Sequence, residues 1–259
     1  MSGVRVERRG SILIVTIDRP GARNAVDRPA AEALVRAFTE FGADDSQLVA
    51  VLTGAGGNFC AGADLKAIAS DPERANRVDP RGDGPMGPTR MMLEKPVIAA
   101  VEGFAVAGGL ELALWCDLRI AGESAVFGVF NRRWGVPLID GGTVRLPRIV
   151  GMGRALDMIL TGRPVPGREA FEMGLANRVV ETGHALEEAV SVAEQIATFP
   201  RLCMRSDRAS SHEQWELSLE AALSNEFRRG LEVMSSGEAV EGAARFSEGE
   251  GRHGRFEDP

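Results

Sequence analysis

The chemistry open to this chain is narrowed by what it lacks. Among 259 residues there is no tyrosine, lysine stands only at Lys66 and Lys95, and histidine only at His184, His212 and His253. Proton transfer is therefore expected to fall to a carboxylate. Two segments suggest where. Phe59-Cys60-Ala61-Gly62-Ala63-Asp64-Leu65-Lys66 and Gly103-Phe104-Ala105-Val106-Ala107-Gly108-Gly109-Leu110-Glu111 each follow a strand-like run, pass through small residues and open a helix. The first N–H groups of a helix have no intrahelical acceptor and can hold an anion. Glu111 follows Gly108 by three residues, in the first turn of the second helix, so its carboxylate can reach the space those amides face. Taken singly, a glycine before a helix is a turn that permits close packing, and an acidic residue near a helix N-terminus stabilises it without further function. The recurrence of the design, and the apolar neighbours Leu110, Leu112 and Ala113 around Glu111, favour a shared site.

The elements that must position these groups follow from hydrophobic period. Ile12–Ile17 is β-branched and apolar between Gly10 and Arg19-Pro20-Gly21, and reads as a strand ending in a turn. Asp27 can cap a helix whose apolar residues Ala30, Ala33, Leu34, Ala37, Phe38 and Phe41 recur at three and four. Leu48–Thr53 is a second strand closed by Gly54-Ala55-Gly56-Gly57, and Pro96–Val101 a third. From Gly103 onward the chain is expected to turn into a helix running through Leu110 to Trp115. This alternation predicts an α/β core with parallel strands. Ser70–Pro88, with Pro72, Pro80, Pro85 and Pro88 beside Gly82, Gly84 and Gly87, holds no regular element and is either a surface loop or a lid over the site. After Pro147 strand signals fade. Helical periods at Ala155–Leu160, Arg168–Met173, Leu186–Ala197 and Trp215–Met234 then predict a helical annex.

Composition excludes several classes. The chain is 44% apolar, 26% charged and 5% aromatic with a net charge of −7, as expected for a soluble protein with one sizeable core. Its arginines are dispersed, which argues against nucleic acid as a partner. Val97–Val101 and Leu110–Cys116 fall far short of the about 20 apolar residues of a membrane span, so no membrane partner is expected. Nor does the N-terminal segment carry an apolar leader. Cys60, Cys116 and Cys203 lack C-x-x-C spacing and read as reduced thiols of a cytoplasmic protein. The histidines lack ligand spacing, so no metal site is expected. No G-x-G-x-x-G opens a helix after a strand, which disfavours a nicotinamide cofactor.

The two glycine turns also carry a resemblance. Arg19-Pro20 followed by Arg23-Asn24-Ala25, then Ala61-Gly62-Ala63-Asp64-Leu65-Lys66, then Gly103 to Glu111 with Leu112-Ala113 and Cys116-Asp117, resemble the crotonase or enoyl-CoA hydratase/isomerase family. Gly135-Val136-Pro137, Gly141-Gly142-Thr143, Arg145-Leu146-Pro147, Thr161-Gly162-Arg163 with Ala170 and Gly174 to Val180 continue the match in order. The resemblance implies a spiral of ββα units, with the acyl-CoA core in residues 1–195 and a helical region in 196–259 that builds a homotrimer or homohexamer. It implies that the backbone amides of Ala63 and Gly108 bind a thioester oxygen, and that Glu111 is a catalytic acid or base. Arg19, Arg23, Ala61, Asp64, Leu65 and Lys66 fall in segments the family uses near CoA, with Arg19, Arg23 and Lys66 as phosphate candidates. CoA is part of the substrate, and no separate cofactor is expected. The implied reaction is hydration of a trans-2-enoyl-CoA. An enolate forming on the thioester oxygen is what such donors stabilise, by about 3 kcal/mol each.

The match departs from the hydratase pattern at one catalytic position. Where hydratases carry a second glutamate, four residues before Gly135, this chain has Asn131, which can orient a water but cannot exchange a proton near neutral pH. Asp140, in Pro137-Leu138-Ile139-Asp140-Gly141-Gly142, is either the substitute carboxylate or the cap of a helix beginning at Gly141. Isomerisation, retro-aldol cleavage, thioester hydrolysis and binding without catalysis remain open alternatives. Arg132 or Arg133 could pair with Asp140. The ending from Phe246 to Phe256 departs from the family's Lys-Arg-x-Pro pattern.

Overall fold

The protein is described from a computed structural model covering residues 3–251, which fall into two compact units divided between Ala197 and Thr198. In the larger unit β1 (Val4–Arg9) pairs antiparallel with β2 (Ile12–Ile17), and α1 (Arg28–Ala43) follows. Next come β3 (Val49–Gly54) and α2 (Leu65–Ser70), then β4 (Val97–Val101), β5 (Phe104–Val106) and α3 (Gly108–Trp115). They are followed by β6 (Leu118–Gly122), β7 (Val126–Gly128), α4 (Gly142–Val150), α5 (Met152–Thr161), β8 (Val165–Pro166), α6 (Gly167–Glu172), β9 (Arg178–Val180) and α7 (Ala185–Ala197). The smaller unit consists of α8 (Arg201–Glu213), α9 (Leu219–Ser236) and α10 (Glu238–Glu248).

The strands form a six-stranded sheet in the order β1-β2-β3-β4-β6-β9 and a three-stranded sheet in the order β5-β7-β8. From β2 to β9 the larger sheet is parallel. In the middle of the chain the first strand of a pair goes to the larger sheet and the second to the smaller, as β4 with β5 and β6 with β7 do. A bridge from Cys60 to Ala105 adds the segment after β3 to the smaller sheet. Repetition of this step is the spiral that the resemblance implied.

Strands β2, β3 and β4 are buried along almost their whole length and are mostly apolar because both faces of the larger sheet are covered. Leu13, Val15 and Ile17 pack with Leu34, Phe38 and Phe41 of α1, whereas Ile12 and Ile14 pack with Ala189, Val192 and Ala193 of α7. Asp27 caps α1 as expected, its side chain accepting from the Ala30 amide, and the expected apolar stripe of α1 is buried. Losing a side chain such as Phe38 from this interface would cost about 3–5 kcal/mol.

Three differences from the sequence reading have a common cause. The chain after Gly103 forms β5 before α3 begins, and β8 and β9 lie beyond Pro147, where strand signals fade. These strands are two or three residues long, too short for any period to register, and they exist because neighbouring strands offer them hydrogen-bond partners. In the smaller unit, α8 was not foreseen, and α9 begins at Leu219 after a separate turn at Gln214–Glu216 rather than at Trp215. Ser218 supplies the start signal for α9 by accepting from the Ala221 amide.

Candidate active site

At the C-terminal side of β3 the chain reaches Cys60, and Val26 then forms a parallel bridge with Ala63. The Val26 amide donates to the Gly62 carbonyl at 2.8 Å and the Asp64 amide donates to the Val26 carbonyl at 2.9 Å. This ladder consumes the groups on either side of Ala63 and leaves the Ala63 N–H without an acceptor among the described residues. Asp64 then caps α2, accepting from the Lys66 and Ala67 amides. Its second oxygen accepts from Arg19 Nη2 at 2.8 Å. Burial pulls the Asp64 pKa up, but Arg19 and the two amides outweigh it and hold the carboxyl below its ordinary range.

The second turn is built by backbone conformation. Ala107 has φ 53° and ψ −125°, a region costly for a residue with a Cβ. It is held there by its amide, which donates to the Gly128 carbonyl at 2.9 Å. The following N–H, of Gly108, has no acceptor among the described residues. Gly109 allows α3 to start directly against Cys60, since a Cβ there would collide with the Cys60 carbonyl. Gly62 serves the same approach from the other side, where a Cβ would lie 2.9 Å from Ala107 Cβ and 3.0 Å from the Gly108 nitrogen.

Both turns open on a cavity of about 350 Å³. Its lining unites Ala61, Ala63, Leu65, Gly108, Glu111, Asn131 and Asp140 of the residues expected from sequence. The loop after α2 contributes Asn76, Val78, Pro85 and Met86, so it forms a wall of the site. Phe130, Trp134, Val136, Pro137 and Ile139 complete a largely apolar surface.

Glu111 is 2% exposed and Asp140 4%, which makes their hydrogen bonds decisive. Glu111 Oε1 accepts from the Asp140 amide at 2.9 Å and from the Gly142 amide at 2.8 Å. The carboxylate that caps α4 is thus Glu111, reaching across from α3. Asp140 is not the cap: the N-cap residue is Gly141, with no side-chain bond to the helix. Asp140 Oδ1 accepts instead from the Met86 amide at 3.0 Å and from the Thr89 hydroxyl. Gly142 lets Glu111 approach closely, since a Cβ there would lie 3.0 Å from Glu111 Oε1 and press the side chain back.

Burial pushes the Glu111 pKa up to about 7, with the neighbouring Asp140 charge adding to the rise and the Gly142 and Asp140 amides and Arg145 opposing it. Burial also raises Asp140, against the Thr89 hydroxyl, the Met86 amide and the charges of Arg90 and Arg145. The cavity therefore holds two adjoining carboxyl groups that both resist ionisation, an arrangement suited to passing protons near neutral pH.

Asn131 is 94% buried by its 6% exposure. Its Nδ2 donates to the Val136 carbonyl at 2.7 Å, leaving Oδ1 buried without a donor. The cation beside the carboxyl pair is Arg145, whose Nη1 donates to the Asp140 carbonyl at 3.0 Å and Nη2 to the Thr89 carbonyl at 2.7 Å. Arg132 and Arg133 donate instead to the Ile159 and Gly162 carbonyls. Met86, Thr89 and Arg145 were not singled out from sequence as part of the site. Only Arg145 had a local signal, since a basic residue in the first turn of a helix that follows an aspartate lies near it.

The cations expected near CoA divide. Arg19 is directed inward, bonded to Asp64, Asp27 and the Ala25 carbonyl, with only 16% of its side chain exposed. It ties the turn before α1 to the turn before α2, and this corrects its reading as an open phosphate contact. Arg23 and Lys66 are exposed, Arg23 lying over the Phe104 ring at 5.5 Å. Neither pairs with a carboxylate among the described residues. No group of metal-ligating side chains occurs among the described residues, and no described helix is long and apolar enough to cross a membrane. The unusual ending lies partly outside the described residues, from Arg252 onward.

A spiral of ββα units whose two unsatisfied amides share a cavity with a raised carboxyl pair defines a crotonase-type protein. The family model for enoyl-CoA hydratase/isomerase matches residues 7–258, and the chain belongs to that family. It is 40% identical over 250 residues to the enoyl-CoA hydratase EchA19 of Mycobacterium tuberculosis, covering 94% of this chain and 92% of that one. It is 37% identical over 247 residues to the carnitinyl-CoA dehydratase of Proteus mirabilis, covering 93% of each. A crystal structure of an enoyl-CoA hydratase from Mycobacterium tuberculosis H37Rv superposes with a TM-score of 0.90 at 38% identity, covering 96% of each chain.

Proposed function

We propose that this protein adds water reversibly to a 2-enoyl thioester of CoA. The observation that carries the reading is the pair of unsatisfied amides, Ala63 and Gly108, on one cavity with a carboxyl group that titrates near 7. The amides receive the thioester oxygen and become more strongly bonded as enolate charge develops there, which lowers the barrier. Glu111 and Asp140 divide the two proton transfers: the ionised carboxylate of the pair takes a proton from water as the oxygen adds to Cβ, and its protonated partner delivers a proton to Cα as the enolate collapses. Exchange with solvent then restores the starting protonation of the pair. The names of the relatives support this reading, since hydration and dehydration are one reaction in two directions.

Among the described residues, the cavity lining includes no lysine, arginine or histidine. An acyl chain ending in a carboxylate would find no counter-ion there, so uncharged acyl chains are the proposed substrates. Arg23 and Lys66 are the proposed CoA phosphate contacts. The exposed apolar residues Leu219, Leu223, Phe227, Leu231 and Met234 along α9 support a homo-oligomer, a trimer or hexamer by the family resemblance. A cytoplasmic location fits the reduced thiols expected from sequence.

Isomerisation of the double bond is the second reading, favoured by Asn131 at the position of the second hydratase glutamate. Incubation with crotonyl-CoA and longer 2-enoyl-CoAs, followed by loss of enoyl-thioester absorbance, tests the first. Hydroxyacyl-CoA production that depends on Glu111 is expected. Turnover of 3-enoyl-CoA alone would replace it with the second reading, and tight binding with no turnover of either would leave a binding protein.

A further inference from the structure

The two carboxyl groups are held in the same way from opposite sides. Each has one oxygen bonded to two donors, Oε1 of Glu111 by the Asp140 and Gly142 amides and Oδ1 of Asp140 by the Met86 amide and the Thr89 hydroxyl. No hydrogen bond among the described residues reaches Oε2 of Glu111 or Oδ2 of Asp140. Three of the four donors are backbone amides. The fourth, the Thr89 hydroxyl, is a side chain that comes from a loop 51 residues away in sequence.

That loop is shaped for the contact. Gly84 and Gly87 exchange backbone hydrogen bonds at 3.0 and 2.8 Å, and Gly87 has φ 95°. The turn so closed presents the Met86 amide and Thr89 hydroxyl to one oxygen. Gly84 has no room for a Cβ, which would meet both Thr89 Oγ1 and Asp140 Oδ1. Thr89 is 1% exposed, and its carbonyl is held by the same Arg145 guanidinium that holds the Asp140 carbonyl. Met86 carries the link onward, because its Sδ lies against Gly108, only 2.6 Å from where a Cβ would stand.

We propose that Thr89 is a positioning residue for the reaction, holding Asp140 by one oxygen so that the other is the proton-carrying atom. The inference rests on the reading of Asp140 as the second carboxyl of the proposed reaction. A hydroxyl that donates to the carboxylate favours its ionised form. The charged groups facing Asp140 are Glu111 from α3, Arg145 from α4 and Arg90 from the turn at Pro88–Arg90. Replacing Thr89 removes none of these charges. Because the Asp140 amide bonds Glu111, an Asp140 that moves also disturbs its partner.

Thr89→Val keeps the shape and removes the donor, Thr89→Ser restores the donor with less packing, and Thr89→Ala guards against a fault peculiar to valine. In the purified enzyme with an enoyl-CoA it turns over, Thr89→Val and Thr89→Ala are expected to lower kcat about tenfold or more with KM within about twofold. The limb of the pH–activity profile that reports Asp140 moves to higher pH in both variants, because the ionised form has lost a donor. Thr89→Ser returns both kcat and the profile toward wild type. Unchanged kcat and profile in both donor-free variants overturn the proposal, as does a loss of kcat that serine does not rescue with the pH limb unmoved. Asp140→Asn separates the two levels: full activity in that variant removes Asp140 from the chemistry and overturns the underlying reading together with the role of Thr89. Loss of the limb in Asp140→Asn with no effect in Thr89→Val overturns the positioning role alone.

Discussion

The turn presenting the Ala63 amide is held by a strand bridge and by charge, whereas the turn presenting the Gly108 amide is held by backbone strain and close approach. Around the first, Arg19 pairs with Asp64 and Asp27, and Asp27 pairs with Arg74. Around the second, Ala107 sits at positive φ and Gly109 lies on the Cys60 carbonyl. The two look alike in sequence because both need small residues at a strand-to-helix junction. They differ because the first must join three separate segments, for which long charged side chains reach far enough, while the second connects a strand and a helix already adjacent in the chain. A network of charges responds to pH and salt, and a strained close contact responds to volume.

The largest effect expected follows from the one asymmetry with chemistry in it, since the carboxylate of the first turn, Asp64, is bound to Arg19 outside the cavity lining, whereas that of the second, Glu111, lines the cavity. Glu111→Gln should reduce kcat by about 10²–10⁴, measured with the preferred enoyl-CoA. It should also stabilise the protein. A carboxyl group whose folded pKa is raised from 4.5 to about 7 costs nothing below the lower value and destabilises progressively as pH rises through the higher. Glutamine removes a penalty of up to about 3 kcal/mol at alkaline pH, so denaturation curves of the two proteins should diverge at pH 8 and converge at pH 4. Equal stability at both would show that Glu111 titrates normally.

Next in size is Gly109→Ala, which strikes the close approach itself. The clash is with backbone, and a loss of about 3 kcal/mol is expected by chemical denaturation. Wild-type stability would mean that α3 can draw back from Cys60, and that rigidity does not distinguish the second turn.

Arg19→Met attacks the first turn through its charges. It should cost about 2 kcal/mol at pH 7, since two nearly buried carboxylates lose their shared partner. The Asp64 pKa is lowered in the folded protein, so its share of stability is present above the ordinary value of 3.8 and is lost as pH falls through the lowered one. The difference from wild type should therefore shrink in acid. A difference that persists unchanged below that range would point to lost packing of the arginine stem. The smallest effect belongs to Lys66→Ala, expected to raise KM about threefold at low salt with kcat unchanged, and to vanish at high ionic strength. A change in kcat would place Lys66 in the chemistry and not on the CoA phosphates.

Much of the site was legible because it is local. The N-cap Asp27, the stripe of α1, the small residues of both turns and the three-residue step from Gly108 to Glu111 are short-range features set by helix geometry. The role of Arg19 was misread because a free arginine and a paired one look alike in sequence. Asp140 read equally well as a helix cap, and only the fold showed that Glu111 takes that place and frees Asp140 for Met86 and Thr89. The short strands β5, β8 and β9 escaped notice since their order comes from neighbours and not from their own composition.

The sequence by itself determined an α/β core, two amide-bearing turns and a reliance on carboxylates, because strand and helix periods, turn residues and the scarcity of other titratable groups are properties of the chain. Tertiary structure alone decided which amides stay unsatisfied, which carboxyl groups lose water, and what holds them. Those outcomes depend on burial and on hydrogen bonds between residues 29 to 54 positions apart, and desolvation exists only once distant segments have closed over a common cavity.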